Sequence, residues 1–156
     1  MNTESHNLRA EHSNTGQKTA WAVQSALRVL LGVFLVFAGT SHLTTARAEF
    51  LAQAPTWLPV GGDLVVVLSG IAEIALGLAL IFLVKQRVLV GLAVAAFFVL
   101  IFPGNLSQYV NRIDAFGLNS DQARLTRLFF QPALVIWALW ATGGWRALYT
   151  RKVTSS

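Results

Sequence analysis

Cysteine is absent from the 156-residue chain. That excludes disulfides, thiolate catalysis, iron–sulfur clusters and cysteine-bound zinc, whatever the compartment. Charge is scarce too: 12% of residues are Asp, Glu, Lys or Arg, against about 25% in a soluble domain. A soluble fold of this size could bury a core but could not cover it with so few charges. Histidine is nearly missing. His6 and His12 lie in the polar N-terminal stretch, which leaves His42 without clustered ligands, so neither haem nor another metal is expected. No ten-residue segments alternate in polarity, which counts against a β-barrel. No short apolar run with a small-residue cleavage site follows the start, so the first residues do not read as a secretory signal.

What is present is oil. Hydrophobic residues make up 54% of the chain and mean hydropathy is +0.56, the composition of an integral membrane protein with one compact domain. The net charge of +5 is then informative through its placement rather than its sum, and no nucleic-acid partner is expected.

Residues 1–20 are polar and aperiodic and read as a disordered cytoplasmic tail. A four-helix transmembrane domain is expected over 21–148 and a short basic cytoplasmic tail over 149–156. Four apolar segments carry the domain, at about Trp21–Leu43, Gly62–Val84, Val88–Gln108 and Arg124–Leu148. Each approaches or exceeds the ~20 residues needed to cross the hydrocarbon. The fold class is therefore all-α, a four-transmembrane-helix bundle. Lys85, Gln86 and Arg87 form a short turn that makes the second and third segments antiparallel. The linker 44–63 has an amphipathic look, with Phe50, Leu51, Ala54 and Trp57, and could lie at the interface as a short helix ending near Pro55. Residues 111–123 read as a polar external loop. Lys85, Arg87, Arg146, Arg151 and Lys152 fall on the side of the N-terminus, so both termini are expected in the cytoplasm. Trp21, Trp57, Trp145 and Tyr149 fit an aromatic belt.

Each segment carries one polar or small stripe at helical spacing. The first aligns Gln24, Arg28, Gly32, Gly39 and His42 within roughly 80°. The second aligns Gly62, Ser69, Glu73 and Gly77, the third offers Asn105 with Gln108 to one side, and the fourth aligns Arg124, Arg127 and Gln131. Apolar faces belong against lipid, so the stripes are expected to face one another. Counted at ~1.5 Å per residue, Arg28 lies about 10 Å deep and Glu73 about 16 Å deep. That predicts an Arg28–Glu73 pair, which either fixes the bundle or handles a proton. Above it an outer cluster of His42, Ser69, Asn105, Gln108, Arg127 and Gln131 is the expected ligand-binding set. The plain alternatives are an interfacial His42 at a helix end and an Asn105 that caps a helix terminated by Pro103.

The stretches LRVLLGVFLVFAGTSHL (27–43), PTWLP (55–59), SGIAEIALGLAL (69–80), FPGNLSQYV (102–110) and RLFFQPALVIWAL (127–139) resemble the DoxX family of small bacterial integral membrane proteins, in the family's order. The resemblance implies a four-helix bundle in the bacterial cytoplasmic membrane and a tie to membrane redox complexes. It brings no family-wide catalytic set. The expected function is a membrane component of a redox system that binds a quinone or similar amphipathic molecule. His42 and Gln131 would hydrogen-bond the ligand's carbonyl oxygens, Asn105 would assist, Arg127 would stabilise developing negative charge, and Glu73 would handle a proton. Expected partners are the lipid bilayer and either a redox subunit or a second copy of the chain. The rivals are a non-enzymatic scaffold subunit, whose stripe only holds helices together, and small-solute or proton transport, for which four spans without an inverted repeat are few.

Overall fold

From Trp21 to Leu43 the chain contains no proline, and its residues favour or tolerate helix. In the computed structural model, which describes residues 3–54, 59 and 61–153, this stretch is the end of a longer helix, α1 (Thr3–Leu43). Helix therefore occupies residues expected to be disordered. No proline interrupts the chain before Trp21, and extending an existing helix costs far less than nucleating one. A short helix α2 (Arg47–Gln53) follows, as the amphipathic linker predicts. Pro55 and Trp57 lie outside the described residues.

α3 (Gly62–Phe82) is joined to α4 (Arg87–Val110) by a single 3-10 turn, Val84–Gln86. α4 runs through Pro103 instead of ending there. α5 (Asp121–Thr142) starts at Ser120, whose hydroxyl accepts from the Ala123 amide at 3.2 Å, the usual way to satisfy a first-turn N–H. It stops at Gly143, with φ +77°, a left-handed conformation that glycine adopts without a Cβ clash. The last segment is thus two helices, since α6 (Gly144–Val153) continues beyond the break and takes in most of the expected basic tail.

Among the described residues there are four helical stretches long and apolar enough to cross a membrane: Thr15–Leu43, Gly62–Phe82, Val84–Val110 and Asp121–Thr142. Only 28% of the most apolar window of each is buried within the protein. Phe37, Phe82, Leu89, Leu100 and Phe129 point outward. In water that much exposed hydrocarbon would drive association, whereas a bilayer is its natural solvent. The chain is a multi-pass membrane protein.

α1 packs chiefly on α3, and α4 on α5; the two pairs meet less extensively. Leu31, Leu35, Leu80, Val90, Val94, Phe98 and Leu139 fill the bundle toward the Val84–Gln86 turn. At the other end α2 and the 111–120 loop lie over a gap between the pairs, with Phe116 of the loop against Phe50 of α2.

Candidate ligand-binding site

Two glycine pairs set the register of α1 against α3. A Cβ on Gly32 would lie 2.8 Å from Gly77 O, and one on Gly77 2.6 Å from Gly32 O. Seven residues away in each helix, Gly39 meets Gly70 in the same way, at 2.5 and 3.0 Å. Small residues at such crossings let backbones approach, the main source of helix affinity where lipid removes the hydrophobic drive. Side chains lean toward the N-terminus of their own helix. In this antiparallel pair His42 and Glu73 therefore lean toward each other. Both are buried, and His42 Nε2 stands 3.4 Å from Glu73 Oε2. This is ion-pair proximity without a hydrogen bond, because Glu73 Oε2 has no hydrogen-bond partner.

The expected Arg28–Glu73 pair is not formed. The same register sets Arg28 opposite Ile81 and Glu73 opposite Val36, about 12 Å apart along the axis at ~1.5 Å per residue. The two side chains also lean in opposite directions. Arg28 Nη1 donates instead to Leu80 O, and to Ile81 O at 3.4 Å. These carbonyls belong to the last turn of α3, which has no intrahelical donors and carries the negative end of the helix dipole. Arg28 is a helix cap.

Across the gap, Asn105 Nδ2 donates to Gln131 Oε1 at 2.6 Å, and Gln131 Nε2 donates to Phe98 O at 2.6 Å. Pro103 lacks the N–H that would reach Val99 O, and Gln131 takes the neighbouring carbonyl in this loosened turn. Gln131 thus has its oxygen and one amide hydrogen committed within the protein. Ser69 lines the same space but donates to Val65 O of its own helix at 2.7 Å.

The roof comes from α2 and the loop. Phe50 stacks on His42, with ring centroids 3.3 Å apart, and Phe116 meets Phe50 edge-on at 4.6 Å. Arg127 sits over the Phe116 ring at 4.4 Å and its Nη2 donates to Gln53 Oε1 at 3.3 Å. Phe116 has φ +57°, an uncommon backbone for a bulky residue, and its N–H donates to Glu49 Oε2 at 2.6 Å. Gln108, expected in the ligand set, faces away from the cavity. Its buried amide donates to Ile113 O and Ala115 O at 3.4 and 3.3 Å and holds the loop. Arg124 anchors the same loop through Asp114, Asp121 and Ile113 O.

These walls enclose a cavity of about 830 Å³. His42, Ser69, Glu73, Asn105, Arg127 and Gln131, drawn from four helices, all line it. Most of the remaining lining is apolar. Phe34, Leu68, Leu100 and Phe130 contribute to it and are also among the outward-facing residues of the bundle, so the cavity is reached from the lipid side. Three buried side-chain atoms have no hydrogen-bond partner among the described residues: His42 Nδ1, Gln53 Nε2 and Glu73 Oε2. All three belong to residues that line this cavity.

A family model described as a domain of unknown function, DUF8561, matches residues 31–142. The chain belongs to this family. Comparison with curated proteins and with solved structures finds no match. The DUF8561 match takes in the membrane-spanning part of the bundle from Leu31 to Thr142 and every cavity-lining residue named above, while Arg28 and α6 fall outside it.

Within the DUF8561 bundle, four cavity or roof residues are absent from the sequence-derived set: Glu49, Phe50, Gln53 and Phe116. Phe50, Gln53 and Ala54 fall at i, i+3 and i+4, one face of the amphipathic α2, and that spacing was a usable signal for Gln53. Phe116 had none, because its position depends on left-handed backbone at Arg112, Phe116 and Gly117.

Proposed function

We propose that this chain is a membrane component of a redox system and binds a quinone or similar amphipathic molecule in the cavity between the two helix pairs. One observation carries the ligand-binding reading: the three buried polar atoms without a hydrogen bond all belong to residues that line one cavity. Buried polar groups are nearly always hydrogen-bonded, and each orphan costs about 1–3 kcal/mol. A ligand with polar oxygens offsets that cost. The volume lies within the ~300–1,000 Å³ of small-molecule sites, and the apolar rim suits a tail that remains in lipid.

His42 and Gln53 face the ligand's oxygens, Arg127 stabilises negative charge on them, and Glu73 beside His42 handles a proton. Gln131 and Asn105 shape the wall. The redox assignment rests on the resemblance to the DoxX family, and with it the bacterial inner membrane. The basic residues near the Val84–Gln86 turn and in α6 support N-in, C-in. The scaffold reading is less well supported. Glycine pairs, Arg28 and Gln131 already hold the helices, and Gln53 Nε2 is left with no partner among the described residues.

The test is extraction of lipid from protein purified in mild detergent. A co-extracted quinone, or quinone-dependent protection on heating, is expected; absence of both refutes the reading. Glu73→Gln is expected to weaken quinone binding, whereas a scaffold would lose stability or assembly alone.

A further inference from the structure

Every acidic residue whose side chain is described already has a place. Asp63 pairs with Arg47, Asp114 and Asp121 pair with Arg124, Glu49 accepts from the Phe116 amide, and Glu73 faces His42. None of them meets Arg127. Arg127 is half-buried and is the one lysine or arginine among the residues lining the cavity. Its contacts are a neutral amide oxygen and an aromatic face. A buried cation is ordinarily matched by an anion, and guanidinium has five donors in a fork that fits a carboxylate or an enolate oxygen.

Gln53 supplies the second observation. It is 6% exposed. Arginine only donates, so the Gln53 oxygen must be the atom facing Arg127, and that fixes the amide orientation. The Nε2 group is then left without a partner. A two-residue donor subsite results, built by α2 and α5 beneath Phe50 and Phe116, with no acceptor of its own to fill it.

We propose that the cavity's ligand carries an anionic oxygen in its head group, bound by Arg127 and Gln53. The inference rests on the ligand-binding reading of the cavity and narrows it. A lipid-soluble body with an ionised oxygen is required, which a hydroxyquinone or a free fatty acid satisfies and a neutral quinone does not.

The experiment uses the full chain in detergent, with affinities measured by calorimetry for two matched pairs. One pair is an alkyl-hydroxynaphthoquinone, ionised at neutral pH, and its neutral methoxy analogue. The other is palmitate and its methyl ester. The anionic member is expected to bind at least about tenfold more tightly, in keeping with a charged hydrogen bond. The preference is expected to vanish in Arg127→Gln and to survive in part in Arg127→Lys. Which pair shows the effect identifies the source of the oxygen. Equal affinity for both members of each pair overturns this inference and leaves the ligand-binding reading standing; no binding by any of the four compounds overturns both. Should Arg127→Gln fail to fold, Gln53→Leu must weaken the anionic member more than the neutral one, and an equal loss for both refutes the subsite.

Discussion

Gly77→Ala tests the register on which the site depends. A methyl group there would lie 2.6 Å from Gly32 O, 2.8 Å from Val36 Cγ2 and 2.9 Å from Val36 N. Two of these three atoms are backbone and cannot rotate away. Ordinary contact begins near 3.4 Å, so the shortfall is 0.5 to 0.8 Å, and α1 must back away from α3. Forcing an extra methyl into a packed interface costs about 1–3 kcal/mol. The better helix propensity of alanine returns up to ~1 kcal/mol. A net loss of roughly 1–2 kcal/mol is expected, with no hydrophobic compensation from water because the surround is lipid. Thermal unfolding in mild detergent measures it. Gly16→Ala is the control, since a Cβ there meets nothing within 4 Å; it should be neutral or stabilising by up to ~1 kcal/mol. Gly39→Ala should cost as much as Gly77→Ala and also push on Glu73, whose Cβ would be 2.9 Å away. A Gly77→Ala protein as stable as wild type, or a Gly16→Ala protein equally destabilised, refutes the packing argument.

Arg28→Met removes the donors to Leu80 O and Ile81 O and should cost about 1–3 kcal/mol of stability. Its effect should add to that of Glu73→Gln within ~0.5 kcal/mol, as for distant sites; a coupling above ~1 kcal/mol would mean that the two side chains interact directly after all. Gln108→Leu frees Ala115 O and leaves Ile113 O to Arg124 alone, so amide exchange in residues 111–120 should accelerate, and unchanged protection there would show that Gln108 does not hold the loop. Phe116→Ala takes away the ring between Phe50 and Arg127; ligand dissociation should quicken several-fold while the melting temperature stays close to wild type, and an unaltered off-rate would show that this ring is not part of the closure.

Helical periodicity made the four spans legible, and it identified the stripes that face inward, because period is a property of one helix at a time. What it could not supply was the offset between helices. Arg28 and Glu73 looked like partners when each helix was measured from its own end. The glycines at 32 and 39 and those at 70 and 77 share a spacing of seven, and pairing them antiparallel fixes the offset that ends of segments leave loose. The lean of side chains then separates Arg28 from Glu73 and joins Glu73 to His42. A further distinction lay outside residue type altogether. Arg28, Gln108 and Gln131 each have a backbone carbonyl within reach and donate to it. Gln53 shares its amide character with Gln108 and Gln131, yet its Nε2 meets no acceptor among the described residues, since its oxygen is the atom that faces Arg127. Buried polar groups in a membrane bundle therefore divide by local access to backbone acceptors. Those left over, on His42, Gln53 and Glu73, belong to residues that line the cavity, where there is room for a ligand.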